Sequence, residues 1–137
     1  MKRVTWRRAL VTGASAGIGK AMVQELARHG TELVLVARNA DRLERIAGSL
    51  EVPAEVLPAD LCDRTQLDAV ARRCAAADDP IDLLVNNAGI WSFGALIGPS
   101  GDVAEKMVAL NVAAVVGRSP PPPGQIVAHP RGGLRKK

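Results

Sequence analysis

The chain has 137 residues, of which 47% are hydrophobic and 23% are charged, and its formal net charge is +4. This balance is typical of a single globular domain, and no apolar run is long enough to span a membrane. Much of the positive charge lies near the two termini, and only 2% of the residues are aromatic. Nucleic-acid binding is therefore disfavoured, because it relies on basic surfaces with interleaved stacking side chains.

The two cysteines, Cys62 and Cys74, have no third cysteine or suitably placed histidine near them in the sequence. Their spacing therefore predicts neither a zinc site nor a disulfide framework. Reduced thiols suit an intracellular compartment, and the apolar stretch after the basic N-terminus is too short for a signal peptide. We expect a cytoplasmic protein with no bound metal.

Short apolar runs alternate with amphipathic helical patterns along the first 90 residues. The predicted strands cover residues 9–12, 33–37, 54–57 and 81–85. The predicted helices cover residues 18–29, a segment that Asp41 caps or opens, and a segment from Arg64. Alternating strands and helices with short connections predict an α/β fold, a doubly wound parallel sheet of the Rossmann-like kind with strand order 3-2-1-4.

After a further predicted helix over residues 102–116, the chain becomes rich in proline and basic residues. We expect a partial dinucleotide-binding domain at 1–116 and a disordered tail at 117–137. Two alignments of the tail stay open: residues 124–127 are the remnant of a fifth strand, or residues 123–133 are the frayed end of the preceding helix.

Without the rest of a sheet beyond it, the fourth predicted strand would be an apolar edge over residues 81–86. An uncovered edge presents unpaired backbone N–H and C=O groups to other chains. Self-association through this edge is therefore a possible interaction of the chain.

Three motifs stand in an informative order. Residues 12–19, which read TGASAGIG, join the first strand to the first helix, where free backbone N–H groups and the helix dipole favour an anion. Residues 86–89 read NNAG and end the fourth strand, and Asn111 lies within the sequence LNV. In type, order and spacing these motifs resemble the short-chain dehydrogenase/reductase family, over about residues 9–116.

The resemblance implies a portion of an oxidoreductase that interconverts alcohols and carbonyl compounds by hydride transfer to a nicotinamide dinucleotide. In that family the glycine turn holds the pyrophosphate, the aspartate after the third strand meets the adenine with an apolar neighbour, and the NNAG segment lines the ribose. The implied cofactor-binding residues are Gly13, Ser15, Gly17, Ile18, Gly19, Asp60, Leu61, Asn87, Ala88 and Gly89. Asn86 is expected to tie strands together instead.

The residues after the second strand indicate which dinucleotide is bound. An acidic residue at the end of this strand would bind the ribose 2′-hydroxyl of NAD and repel the 2′-phosphate of NADP. Here Ala37 occupies that place and Arg38 follows it. A guanidinium suits a phosphate through paired charge-assisted hydrogen bonds, and Arg42 would add a second contact. We therefore expect NADP rather than NAD.

The catalytic residues of the family are matched only in part. Asn111 matches the asparagine of the catalytic set, but the chain contains no tyrosine. The family's Tyr-x-x-x-Lys motif is therefore absent, and no serine stands where the catalytic serine is expected. The chain is expected to be inactive alone, as a truncated or frame-shifted member of the family. Two alternatives are a nucleotide-binding or interaction module without redox activity and, ranked last, a small basic nucleic-acid binder.

Overall fold

The computed structural model describes residues 6–89 and 126–128. The elements within them are β1 (Arg8–Thr12), α1 (Gly17–Arg28), β2 (Glu32–Ala37), α2 (Ala40–Gly48), β3 (Ala54–Pro58), α3 (Arg64–Ala75), β4 (Leu83–Val85) and β5 (Ile126–Ala128). The predicted alternation of strand and helix is confirmed as far as β4, with bounds that shift by one or two residues.

All the strands pair in parallel, in the order β3-β2-β1-β4-β5. The predicted order of the first four strands is confirmed. β1 lies between β2 and β4, and Leu10 is opposite Val34 on one side and Leu84 on the other. From β1 the sheet extends to β2 and β3 on one side and to β4 and β5 on the other. The connections diverge at this point, which opens a crevice at the carboxyl ends of β1 and β4.

Side chains of the central strands alternate between two apolar clusters, one on each face of the sheet. On one face, Val11 belongs to a cluster with Val23 of α1 and Leu43 of α2. On the other face, Leu10 belongs to a cluster with Val70 of α3. Because both faces are covered, the strands read as unbroken apolar runs rather than as alternating polar and apolar residues.

β5 lies inside the segment that the sequence predicts to be a disordered tail. It extends the sheet beyond β4, with Leu84 opposite Val127. Of the two alignments of this segment, the fifth-strand alignment agrees with the structure, although the strand is Ile126–Ala128 rather than residues 124–127.

The prediction of an open apolar edge on the fourth strand is wrong. β5 pairs with β4 along Leu83–Val85, so the backbone groups on that side of β4 have a partner strand. The edge that would have served for self-association is therefore covered by β5. The predicted helix at 102–116, the domain boundary after residue 116 and the rest of the 117–137 segment lie outside the described residues.

Candidate functional site

A groove of about 860 Å³ lies at the carboxyl edge of the sheet. Its lining comes from the segments that end or follow β1, β2, β3 and β4: Gly13, Ser15, Ala16, Val36, Ala37, Arg38, Asn39, Arg42, Ala59, Asp60, Leu61, Cys62, Asn87, Ala88 and Gly89. This volume is typical of sites for small molecules and cofactors. The position beside the diverging β1 and β4 is where doubly wound sheets bind their ligands.

The groove brings together most of the residues that the sequence predicts for the cofactor. Those in its lining are Gly13, Ser15, Arg38, Asp60, Leu61, Asn87, Ala88 and Gly89. Gly17, Ile18 and Gly19 are not part of the lining and form the first turn of α1, where Ile18 is 66% exposed. Asn111 lies outside the described residues.

Thr12, which is fully buried at the end of β1, joins the glycine turn to the segment after β4. Its hydroxyl oxygen accepts from the backbone N–H groups of Asn87 at 3.1 Å and Ala88 at 3.0 Å, and the hydroxyl donates to the carbonyl of Val85 at 3.3 Å. These bonds fix the two sides of the groove relative to each other. Sequence reasoning assigned Thr12 no role of its own, although a polar residue that ends an apolar strand was a visible signal.

The side chain of Asn87 occupies space that two glycines leave open. Its Nδ2 donates to the carbonyl of Gly13 at 3.3 Å. A Cβ added at Gly19 would lie 2.0 Å from the Gly13 oxygen and 2.5 Å from Asn87 Nδ2. Gly13 also has a positive φ of 66°, which L side chains rarely adopt. The motif glycines at these two positions are therefore required by backbone conformation and close packing.

α1 begins without a side-chain cap, unlike the other two described helices. Its N-cap residue is Ala16, and its first turn contains no acidic residue. By contrast, Asn39 caps α2 and Asp63 caps α3. The first N–H groups of a helix need acceptors, and the helix dipole adds partial positive charge at this end. The start of α1 therefore fits a bound anion such as a pyrophosphate.

The start of α2 forms another wall of the groove and carries two arginines, Arg38 and Arg42. The helix is capped by Asn39, whose side-chain oxygen accepts from the backbone N–H of Arg42 at 2.9 Å. The sequence predicts that Asp41 caps or opens this helix. The prediction that it is the cap is wrong, because Asp41 lies in the first turn. An asparagine just before an acidic first turn was the signal for the correct cap.

Asp60 lies in the groove lining after β3, within a tight turn. Its Oδ1 accepts from the backbone N–H of Cys62 at 2.9 Å, and its own N–H donates to Oε1 of Gln66 at 2.8 Å. Its other carboxylate oxygen, Oδ2, has no hydrogen-bond partner among the residues that the structure describes. One negatively charged acceptor in the groove is therefore available to a ligand.

Asn86 is 5% exposed and lies between β4 and the groove-lining Asn87. Its Oδ1 is buried and has no partner within residues 6–89 and 126–128. The expectation that Asn86 ties strands together therefore stays a prediction.

In the described part of the chain, no three His, Cys, Asp or Glu side chains are grouped so that they could hold a metal ion. No helix in that part combines the length and apolar character needed to cross a membrane.

Comparison with known proteins shows which family the chain is similar to. Residues 7–119 match the sequence model of the short chain dehydrogenases. Nodulation protein G of Rhizobium sp. (strain N33) is 35% identical over 115 residues, which are 84% of this chain and 47% of that protein. The chain thus spans about half the length of this curated relative.

Two solved structures are similar to the chain over most of its length. The short-chain dehydrogenase from Sphingobium yanoikuyae in complex with NADPH has a TM-score of 0.73 and 37% identity, and the match covers 80% of this chain and 44% of that one. L-sorbose reductase from Gluconobacter frateurii, complexed with NADPH and L-sorbose, has a TM-score of 0.73 and 30% identity, with 82% and 44% covered. Both of these structures contain NADPH.

Proposed function

Because the chain belongs to the short-chain dehydrogenase family, we propose that it is the NADP(H)-binding portion of an oxidoreductase acting on alcohols and carbonyl compounds. The proposal rests above all on the groove beside β1 and β4, which has the uncapped start of α1 on one side and two arginines on another. The NADPH complexes of similar proteins support it.

The pyrophosphate would lie against the glycine turn and the start of α1. Ser15 and Ala16 line the groove there, and no carboxylate in the first turn of α1 repels an anion. The absence of a side chain at Gly13 lets the backbone approach the phosphates. The backbone N–H groups at the start of α1 would donate to the phosphate oxygens.

The adenosine end would lie between the start of α2 and the turn after β3. Arg38 and Arg42 both line this part of the groove, and Ala37 brings no negative charge. Two guanidinium groups would bind the 2′-phosphate that distinguishes NADP from NAD. Asp60 would accept a hydrogen bond from the amino group of adenine through its available carboxylate oxygen, with Leu61 against the ring.

The bound nicotinamide would supply the group that accepts or donates hydride. The residues of this chain would bind and orient the dinucleotide. Asn87, Ala88 and Gly89 would lie along its ribose, and Ile18 would contact it from the start of α1. Proton transfer needs a titratable group beside the reacting oxygen, and the chain contains no tyrosine for this task. Asn111 is its one match to the catalytic set, so we propose that the chain binds NADP(H) but does not turn over substrate alone.

We also propose a cytosolic location. In the structure Cys62 and Cys74 are not joined in a disulfide, and cysteines in the reduced state suit a reducing compartment.

The test is a titration of the purified chain with NADPH and with NADH. Wild type should bind NADPH more tightly. Arg38→Gln and Arg42→Gln should each weaken NADPH binding by about tenfold or more, the usual worth of a hydrogen bond to a charged group, and leave NADH binding nearly unchanged. Arg45→Gln is the matched control, because Arg45 is exposed on the same helix but outside the groove lining.

Equal affinities for NADPH and NADH in wild type would refute the NADP preference. Loss of NADPH binding in Arg45→Gln as large as in the other two variants would show a nonspecific charge effect. Turnover of carbonyl substrates by the purified chain with NADPH would contradict the proposed inactivity.

A further inference from the structure

Gln66 reaches from the first turn of α3 back to the turn that carries Asp60. Its Oε1 accepts from the backbone N–H of Asp60 at 2.8 Å. The backbone N–H of Gln66 donates to Oδ1 of Asp63, the cap of α3, at 3.0 Å. The helix cap therefore bonds the backbone N–H of Gln66, while the Gln66 side chain bonds the turn that carries Asp60.

Two further contacts hold Asp60. Its carboxylate Oδ1 accepts from the N–H of Cys62 at 2.9 Å, and its backbone carbonyl accepts from the N–H of Asp63 at 3.1 Å. Both of these bonds lie on the C-terminal side of Asp60. On its N-terminal side, Asp60 is held by the bond from its own N–H to Gln66, next to the bond from the Ala59 N–H to the Ala37 carbonyl at 2.9 Å.

Gln66 itself is not part of the groove lining, whereas Asp60 is. Any effect of Gln66 on a ligand must therefore pass through Asp60. The N–H, the carbonyl and Oδ1 of Asp60 are all engaged in hydrogen bonds, which restrict how its carboxylate can turn.

We propose that Gln66 is a positioning residue for adenine recognition: it fixes the backbone of Asp60 so that Oδ2 meets the exocyclic amino group of the base. This inference rests on the proposed function, because it requires an adenine dinucleotide in the groove. Gln66 acts on base selectivity without touching the cofactor.

The test compares NADPH with its hypoxanthine analogue, in which the exocyclic amino group is replaced by an oxygen that cannot donate to Asp60. Gln66→Met keeps the length of the side chain and a high helix propensity but removes the acceptor. Gln66→Glu keeps an acceptor oxygen at the same distance along the chain. Affinities are measured by calorimetry on the full chain, and thermal melts verify that each variant is folded.

Wild type should bind NADPH more tightly than the analogue. Gln66→Met should weaken NADPH binding by about three- to tenfold, the range expected for one lost hydrogen bond, and leave the affinity for the analogue unchanged. Gln66→Glu should retain the wild-type ratio of affinities. Gln24→Met, the same substitution at an exposed position of α1 outside the groove, should change neither affinity.

An unchanged ratio in Gln66→Met would overturn the inference, as would an equal loss of affinity for both ligands, which would reveal a general structural role. Equal binding of both ligands by wild type would overturn it too, since Asp60 would then not read the base. Failure of wild type to bind either dinucleotide would refute the proposed function and the inference with it.

Discussion

Gly19 leaves no room for a side chain at the point where α1 crosses the glycine turn. A Cβ there would lie 2.0 Å from the carbonyl oxygen of Gly13. We predict that Gly19→Ala lowers the free energy of unfolding by about 1–3 kcal/mol, as overpacking does, and weakens NADPH binding because the turn must move. Urea denaturation and an NADPH titration measure the two effects.

Gly48→Ala provides the control for that substitution. Gly48 ends α2, and a Cβ there would meet nothing within 4 Å. This variant should be as stable as wild type or slightly more stable, because alanine is the better helix residue. If Gly19→Ala were equally stable and bound NADPH normally, the close contact between α1 and the turn would not exist in solution.

The hydroxyl of Thr12 links β1 to β4 through two accepted hydrogen bonds and one donated bond. Thr12→Val keeps the shape of the side chain but leaves two N–H groups without this acceptor. We predict a loss of unfolding free energy of about 1–3 kcal/mol, the cost of burying an unpaired polar group. Thr12→Ser keeps the hydroxyl and should lose less. This role would be contradicted if chemical denaturation showed Thr12→Ser to be less stable than Thr12→Val.

Motifs in the sequence can identify residues that matter for local backbone conformation, or whose chemical groups stand at a fixed distance along the chain from another motif. Gly13, Asp60 and Asn87 were predicted in this way, and all three line the groove. Thr12 and Gln66 were missed, because their roles depend on partners rather than on their own residue type. The partners of Thr12 lie 73 to 76 residues away along the chain, and the Gln66 contact exists only once the turn after β3 has folded.

The N-terminus of α2 combines a helix cap with neighbouring residues that we propose bind the dinucleotide. Asn39 caps the helix and also lines the groove beside Arg38. We predict that Asn39→Ala lowers the free energy of unfolding by about 1 kcal/mol through loss of the cap. Asn39→Asp should keep the cap and the stability, since aspartate caps helices equally well.

The aspartate variant separates the two functions, because its negative charge would face the 2′-phosphate of NADPH. A pair of unit charges a few ångströms apart in water repel by about 1 kcal/mol, so NADPH affinity should fall by roughly fivefold. NADH affinity should not change. Thermal melts and paired titrations check both results, and an equal loss for the two dinucleotides would place the 2′-phosphate elsewhere.

The predicted strands were right in type and nearly right in length, because strands covered on both faces give short, uninterrupted apolar runs. β4 is shorter than its predicted span. Asp82 lies just before β4, and its carboxylate accepts from the backbone N–H groups of Arg7 and Arg8 at 2.9 Å each. Its backbone N–H also donates to the carbonyl of Arg8 at 3.1 Å, and the residue pairs between β1 and β4 begin at Leu83.

β5 joins a distant segment of the chain to the sheet and covers β4. We predict that deleting residues 117–137 lowers the melting temperature and causes concentration-dependent association, since β4 would then present an open edge. Deleting only residues 130–137 leaves β5 in place and should have little effect. Light scattering and thermal melts compare the two deletions, and identical behaviour would contradict the pairing of β5 with β4 in solution.

Local composition gave only ambiguous evidence for β5. The strand has three residues, and four consecutive prolines precede it by a short interval. Such a segment favours extended or disordered backbone when taken alone. Its strand conformation comes from parallel pairing with β4, more than 40 residues earlier in the chain, which no sequence period can reveal.

Under the proposed function, a bound dinucleotide would complete the start of α1, which has no side-chain cap. Asparagine completes α2 and aspartate completes α3, whereas α1 would be completed by the pyrophosphate of the dinucleotide. Stability should then follow the supply of cofactor, with a gain of about 2.7 kcal/mol at a free concentration one hundred times Kd. The melting temperature should rise steadily with the logarithm of NADPH concentration, and slower amide exchange should appear first at residues 17–19. In a cell short of NADPH, such a chain would spend more time unfolded and would be degraded sooner, so its abundance would report the reducing state of its surroundings.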